Sequence, residues 1–304
     1  MNQTSITAVV LTNNEGANIS RSLEQLSWLG KILVVDSFST DDTVELARAF
    51  PSVEVVQRKF DTHTAQWNFG LEQISTEWVL TLDADYEVSL ELQAEMARLE
   101  PPADVVGYSA EFEYRIFGHS LRASSYPPRV VLFRVAKARY VDDGHTQTLW
   151  IKSASNGLRP PSYPGKPAAS PTEETARIEK LAGKIYHDDR KPLSHWIGAQ
   201  DRYATLEARH LREVERRKEK GESGMDLNFA DRLRLKIFFA APAMFLYLLF
   251  GRGLILDGWP GWFYVAQRTI AELLLSMRLL IEREKLDPPS REATARQESG
   301  KTDS

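Results

Sequence analysis

Four short apolar runs in the first 83 residues of this 304-residue chain alternate with segments of helical character, and that rhythm constrains the fold most. The runs are Ile6-Thr7-Ala8-Val9-Val10-Leu11, Ile32-Leu33-Val34-Val35, Val53-Glu54-Val55-Val56 and Glu77-Trp78-Val79-Leu80. Continuous apolar runs of this length suit strands covered on both faces, as in a parallel sheet. Asn18 reads as the cap of a first helix with Ile19, Leu23 and Leu26 on one face. Ser39 and Thr40 read as caps, with Asp41 and Asp42 as early acids, before Val44-Glu45-Leu46-Ala47. A third helix passes through Gln66-Trp67-Asn68-Phe69-Gly70-Leu71. The alternation predicts an α/β fold with a mostly parallel, doubly wound sheet and right-handed crossovers.

In such sheets, ligands bind beyond the carboxyl ends of the strands. The fourth run ends in Thr81-Leu82-Asp83-Ala84-Asp85, which puts Asp83 and Asp85 on one side of an extended segment. Two carboxylates so placed repel unless a cation or solvent separates them, and Mg²⁺ or Mn²⁺ bridging to substrate phosphates suits such oxygen ligands. A solvated Asp-x-Asp turn is the bland alternative. Thr12, Asn14 and Glu15 follow the first strand, and Asp36, Ser37 and Ser39 follow the second. Gln66 and Asn68, near a helix start, point to the same crevice, where a carboxylate such as Asp36 can accept a base N–H or a ribose hydroxyl. Each also has a reading as a cap or turn residue.

Several chemistries are excluded. There are no cysteines, hence no disulfide, thiolate nucleophile or Cys-bound zinc. No Gly-x-Gly-x-x-Gly follows the first strand, and neither a P-loop nor a His-Glu-x-x-His site occurs. The net charge of −4 gives no sign of a nucleic-acid partner. The N-terminus enters a strand without a charged leader, so a cytoplasmic location is expected. What remains is a nucleoside-diphosphate donor whose phosphates are held by a metal.

After Asp85 the rhythm changes. Ser89 starts a helix that Pro101-Pro102 stops, and 105–117 with 129–135 suggests an antiparallel extension. Residues 153–175, rich in Pro, Gly, Ser and Ala, read as a mobile insertion. Residues 194–221 read as a charged, solvated helix. The apolar run from Ile237 to Phe250 is shorter than the ~20 residues needed to cross a bilayer. Pro242 would kink a helix through it. With Arg232, Arg234, Lys236 and Arg252 flanking it and Trp259 and Trp262 nearby, it reads as lying in a membrane interface, a core helix being the alternative. Residues 284–304 read as a polar, disordered tail.

The motifs Thr7 to Glu15, Val34-Val35-Asp36-Ser37-Phe38-Ser39-Thr40-Asp41-Asp42-Thr43, Gln66-Trp67-Asn68 and Leu82-Asp83-Ala84-Asp85 resemble those of family 2 glycosyltransferases with the GT-A fold. The nearest resemblance is to the bacterial lipopolysaccharide-core β-glucosyltransferase branch, which also has a segment similar to Leu256-Asp257-Gly258-Trp259-Pro260-Gly261-Trp262. It implies a GT-A domain over 1–193 and a helical, membrane-associating extension over 194–283. The implied activity is metal-dependent, inverting sugar transfer from a nucleoside-diphosphate sugar, UDP-sugar first, to a cell-envelope glycan or glycolipid. The protein would sit peripherally on the inner face of the cytoplasmic membrane. A nucleotidyltransferase and a non-catalytic, membrane-docked nucleotide-sugar scaffold are the rival readings.

The resemblance also implies roles. Asp36 and Glu15 hold the nucleoside, Asp85 binds Mn²⁺ or Mg²⁺, and Asp83 contacts ribose or metal. His187 resembles a distal metal ligand, and Arg190 is placed to clamp phosphate. The branch usually has Lys where this chain has Asn13, and a His-Glu pair where it has Asp142-Asp143-Gly144-His145. For the general base that leaves Asp143 first, Asp142 second and His145 third.

Overall fold

The computed structural model describes residues 1, 3–123, 126–142, 147–151, 176–219, 227 and 229–284. The expected insertion and nearly all of the expected tail lie outside the described residues, as do Asp143 and His145. The chain divides into two compact units. One comprises Met1–Pro192 together with Arg252–Phe263; the other comprises Leu193–Gly251 and the chain from Tyr264 onward.

The strands are β1 (Ile6–Thr12), β2 (Ile32–Asp36), β3 (Val53–Gln57), β4 (Trp78–Asp83), β5 (Tyr86–Val88), β6 (Val105–Ile116), β7 (His119–Ser120), β8 (Arg129–Arg134), β9 (Ala138–Asp142), β10 (Gln147–Ile151) and β11 (Arg177–His187). Helices α1 (Ile19–Glu24), α2 (Thr43–Arg48), α3 (His63–Glu72) and α4 (Leu90–Arg98) belong to the first unit. α5 (Leu193–Glu219), α6 (Phe229–Arg234), α7 (Ala240–Leu246) and α8 (Gly258–Glu284) follow.

The main sheet runs β3-β2-β1-β4-β8-β6-β11-β5, with β7 pairing β6. β3, β2, β1 and β4 are parallel, as the apolar runs predict, and β8 pairs antiparallel with both β4 and β6. Alternation divides the apolar side chains between two faces. Ile6, Ala8, Val10, Val34, Leu80 and Leu82 pack on one; Val9, Leu33, Val35 and Val79 meet Trp67 and Leu71 of α3 on the other. In register, Thr12 lies beside Asp36 and Leu11 beside Asp83, so the polar residues leave the sheet at one edge.

β11 is the element that local pattern does not announce. It runs parallel to β6 and antiparallel to β5, which sets His187 opposite Tyr86. Its register slips between Lys180 and Lys184, and the Glu95 carboxylate of α4 accepts the Ala182 and Gly183 N–H groups there at 3.0 Å. α4 presses so closely that a Cβ on Gly183 would overlap the Leu92 backbone.

In the second unit, α5 turns Ala204, Ala208 and Leu211 toward Leu275 and Leu279 of α8, so the charged run has a buried stripe as well as a solvated face. Arg278 grips both oxygens of Asp201, and Arg234 pairs with buried Glu272. The run 237–250 is not one kinked helix. Ile237 and Phe238 adopt positive φ, α7 begins at Ala240, and Pro242 sits in its first turn, where no intrahelical N–H bond is lost. Among the described residues no single helix is long and apolar enough to cross a membrane.

Gly183→Ala should lower stability by about 2 kcal/mol in urea unfolding, because backbone atoms cannot yield to the added methyl. In α5, Gly198→Ala should be neutral or stabilising by up to about 1 kcal/mol, because an added Cβ meets only the flexible end of Arg202. Equal effects would contradict the close α4–β11 packing.

Candidate active site

The first two strand ends are knitted together by side chains. Asp36 is fully buried and accepts from Thr12 Oγ1 (3.0 Å), Ser39 N (3.0 Å), Gln57 Nε2 (2.9 Å) and the Ser39 hydroxyl. Its lone-pair directions are therefore filled from within, and a nucleoside N–H must displace one of these donors. Asn14, at φ 56°, donates its N–H to Ser39 Oγ (2.8 Å) and accepts the Thr40 N–H (2.8 Å). Ser39 and Thr40 thus cross-link two loops rather than cap α2, whose N-cap position is Asp42. Gln66 donates to Ser37 Oγ (2.7 Å) and accepts from Arg58 (2.7 Å), so these predicted residues do meet. Asn68 turns elsewhere, spending both amide atoms on the Tyr140 backbone (2.9 and 3.0 Å).

At the next strand end Asp85 and His187 come together, Nε2 to Oδ2 at 3.2 Å, because the β5–β11 ladder ends there. Burial opposes ionisation of Asp85, but the neighbouring His187 outweighs it and, with Lys191, holds the carboxyl at about 2. Burial and then the Asp85 charge push Asp83 upward, with His63 and Arg129 opposing. Burial disfavours a charged His187, yet Asp85 more than offsets this and raises its pKa. The ring sits among Tyr86, Tyr114 and Tyr126, with centroids 5.1, 4.5 and 5.3 Å away.

This donor set fits a divalent ion. Asp85 Oδ1 is buried without a hydrogen-bond partner, and an imidazole stands beside it. Among the described residues no group of three His, Cys, Asp or Glu side chains is arranged to hold a metal unaided. Asp85 and His187, with Asp83 adjoining, therefore need further ligands, a role open to substrate phosphates.

Sequence reasoning missed the residues that hold this edge in place. Lys191 pairs with Glu15 (2.6 Å) and Asp189 (3.3 Å), both from mostly buried positions. Asn18 leaves α1 uncapped by its side chain; it donates to Glu15 (2.8 Å) and Asp189 (2.9 Å) and accepts from Arg21 (2.8 Å) and the Arg190 N–H (2.9 Å). Arg21 reaches Glu87 and the Asp188 carbonyl, while Arg190 is held by the Asp188 carboxylate at 2.7 Å. A lone Lys or Asn in a turn carries no local signal of such a network. Phe38 sits half-exposed at φ 58°, between Asp36 and Ser39.

β9 packs against α3 and β4 on one face of the sheet. Tyr140 donates its hydroxyl to Thr81 Oγ1 (3.0 Å) on β4 and stacks on Trp67 at 5.2 Å. Asp142 closes this strand, paired with Gln147, and Asp143 and His145 follow it in sequence.

Glu15 is pushed up to about 7 by burial and then by the Asp85 charge, against the pull of Lys191. A carboxyl raised in the folded state contributes stability below its unfolded pKa and loses it as pH rises through the folded one. Wild-type protein in EDTA should therefore lose roughly 2–3 kcal/mol relative to Glu15→Gln between pH 4.5 and pH 8. Parallel pH profiles of urea stability would contradict this.

Residues 7–152 match the family described as Glycosyl transferase family 2. An uncharacterized glycosyltransferase of Rickettsia felis is 36% identical over 92 residues, which is 30% of this chain and 32% of that protein. The match thus spans about a third of that relative's length. The lipopolysaccharide core biosynthesis glycosyltransferase LpsC of Rhizobium meliloti is 23% identical over 281 residues, 90% of this chain and 91% of its own. Among solved structures, the mannosyltransferase PcManGT of Pyrobaculum calidifontis, in complex with GDP-Man and Mn²⁺, aligns over 92% of this chain and 89% of its own, with TM-score 0.48 and 14% identity. Residues 7–152 thus carry the signature of glycosyl transferase family 2.

Proposed function

We propose that this protein is a metal-dependent, inverting glycosyltransferase acting on a nucleoside-diphosphate sugar, UDP-sugar first, with a cell-envelope glycan or glycolipid as acceptor. The observation that carries the reading is the meeting of Asp85 and His187 beside Asp83, from positions 102 residues apart. The family match over residues 7–152 supports the reaction class, and similarity to LpsC along most of the chain supports the acceptor class.

Asp85 and His187 would hold Mn²⁺ or Mg²⁺, with Asp83 turned to the ribose or the same ion. Held by these side chains, such an ion would supply positive charge to stabilise the leaving diphosphate. Asp36 and Glu15 bind the nucleoside, with Thr12, Asn14, Ser37 and Gln66 shaping its loops. Arg190, pinned by Asp188, presents its guanidinium to phosphate oxygens. Asn68 acts at one remove by fixing β9. The base that takes the acceptor's proton is Asp143 first, then Asp142, then His145. Attack from the face opposite the diphosphate inverts the anomeric carbon in one displacement. Exposed Phe238, Phe239, Leu246, Tyr247 and Phe250, with Arg232 and Lys236 nearby, support peripheral contact with the inner face of the cytoplasmic membrane.

A screen of UDP-, GDP-, dTDP- and CMP-sugars with Mn²⁺ or Mg²⁺ tests the reading, and metal-dependent nucleotide release is expected with a UDP-sugar. Asp143→Asn should bind donor normally and transfer about 10²–10⁴-fold more slowly, and Asp142→Asn should be milder. The same loss in His145→Ala, with Asp143→Asn near wild type, would move the base to the imidazole. No turnover with any donor would contradict the reading.

A further inference from the structure

We propose that Trp259, braced by Phe117 and His119, is a stacking platform for a sugar ring of the acceptor, set beside the donor site; the proposal rests on the glycosyltransferase reading above. The segment Arg252–Phe263 belongs to the same compact unit as the sheet, although α5, α6 and α7 separate the two in sequence. It is fastened next to the β6–β7 hairpin: Arg122 donates its backbone N–H (2.9 Å) and its Nε (2.7 Å) to the two oxygens of Asp257.

The hairpin is unusual in what it presents. Ile116 pairs with His119, leaving a two-residue turn of Phe117 and Gly118, both at positive φ (48° and 85°). Such turns favour Asn-Gly, and a bulky aromatic in the left-handed region costs conformational energy. Strain of this kind persists where the surroundings hold it and often marks function. Here it sets the Phe117 ring 6.4 Å from Trp259, while His119 meets the same indole edge-on at 5.3 Å. Trp259 is held by two rings and still 54% exposed, so its position is fixed without its being covered. A rigid, open aromatic surface binds a ligand with little ordering cost.

The platform adjoins the candidate active site. A Cβ on Gly118 would lie 3.5 Å from Arg190 Nη2, and Arg190 follows His187 by three residues. The occupant is read from the chemistry. A pyranose offers a C–H face to an indole and a rim of hydroxyls to polar neighbours, here His119, exposed Arg122 and Arg190. A bilayer would use the apolar side chains but has no need of a ring held in one orientation among polar groups.

The test uses the full chain labelled with 5-fluorotryptophan, the Trp259 ¹⁹F signal being assigned from Trp259→Phe. The probes are water-soluble core oligosaccharide from deacylated lipopolysaccharide, and phosphatidylglycerol vesicles. The oligosaccharide should shift the Trp259 signal. Trp259→Ala should weaken its binding about tenfold, Trp259→Phe should restore most of it, and Mn²⁺-dependent UDP affinity should stay at the wild-type value. Unchanged oligosaccharide affinity in Trp259→Ala, a Trp259 response to vesicles alone, or no response to either probe would overturn the proposal. Failure of the wild type to bind UDP with Mn²⁺ would instead count against the proposed function, since that measurement does not involve Trp259.

Discussion

Three carboxylates, Glu15, Asp83 and Asp85, gather where β1 and β4 end, and the architecture of the first unit answers to that crowding. Like charges in a buried setting must be protonated or given cations. The chain does both: Glu15 and Asp83 are raised, while Asp85 stays ionised between His187 and Lys191. His187 ends β11 and Lys191 follows it by four residues, so the pairing of that strand with β5 and β6 completes the site. Glu95 filling the β11 bulge and α4 lying on Gly183 then act on the site at a distance, through the position of one strand.

The same economy runs through the loops. Asp36 collects donors from β1, β3 and its own turn, and Asn18 makes four bonds that join α1 to the segment after His187. A buried polar group fully satisfied in this way fixes one arrangement, because losing any partner strands the rest. The cost is that Asp36 reaches a ligand only by exchanging a protein donor for it.

The parallel half of the sheet was legible because its signals are local. Short continuous apolar runs mark β1 to β4 to within a residue or two, and the acids at their ends follow from the strand ends themselves. His187 was reachable through family resemblance, but its contact with Asp85 depends on a ladder between segments a hundred residues apart, which no window of sequence contains. Asn18, Ser39 and Thr40 have the chemistry of helix caps, yet tertiary partners claim their side chains. Lys191 gave no signal at all, since a lysine after an acidic turn usually faces water. In the second unit, Pro242 suggested a kink only because the helix start at Ala240 is not visible from the apolar run.

The central claim, that Asp85 and His187 form one divalent-metal site for a nucleoside diphosphate, is tested most directly by calorimetry of UDP with and without Mn²⁺. Wild type, Asp85→Ala and His187→Ala would be compared, with circular dichroism confirming that each is folded. Mn²⁺-dependent UDP binding is expected in wild type, with at least about a tenfold loss of that affinity in both variants. Equal, Mn²⁺-dependent binding in all three proteins would contradict it.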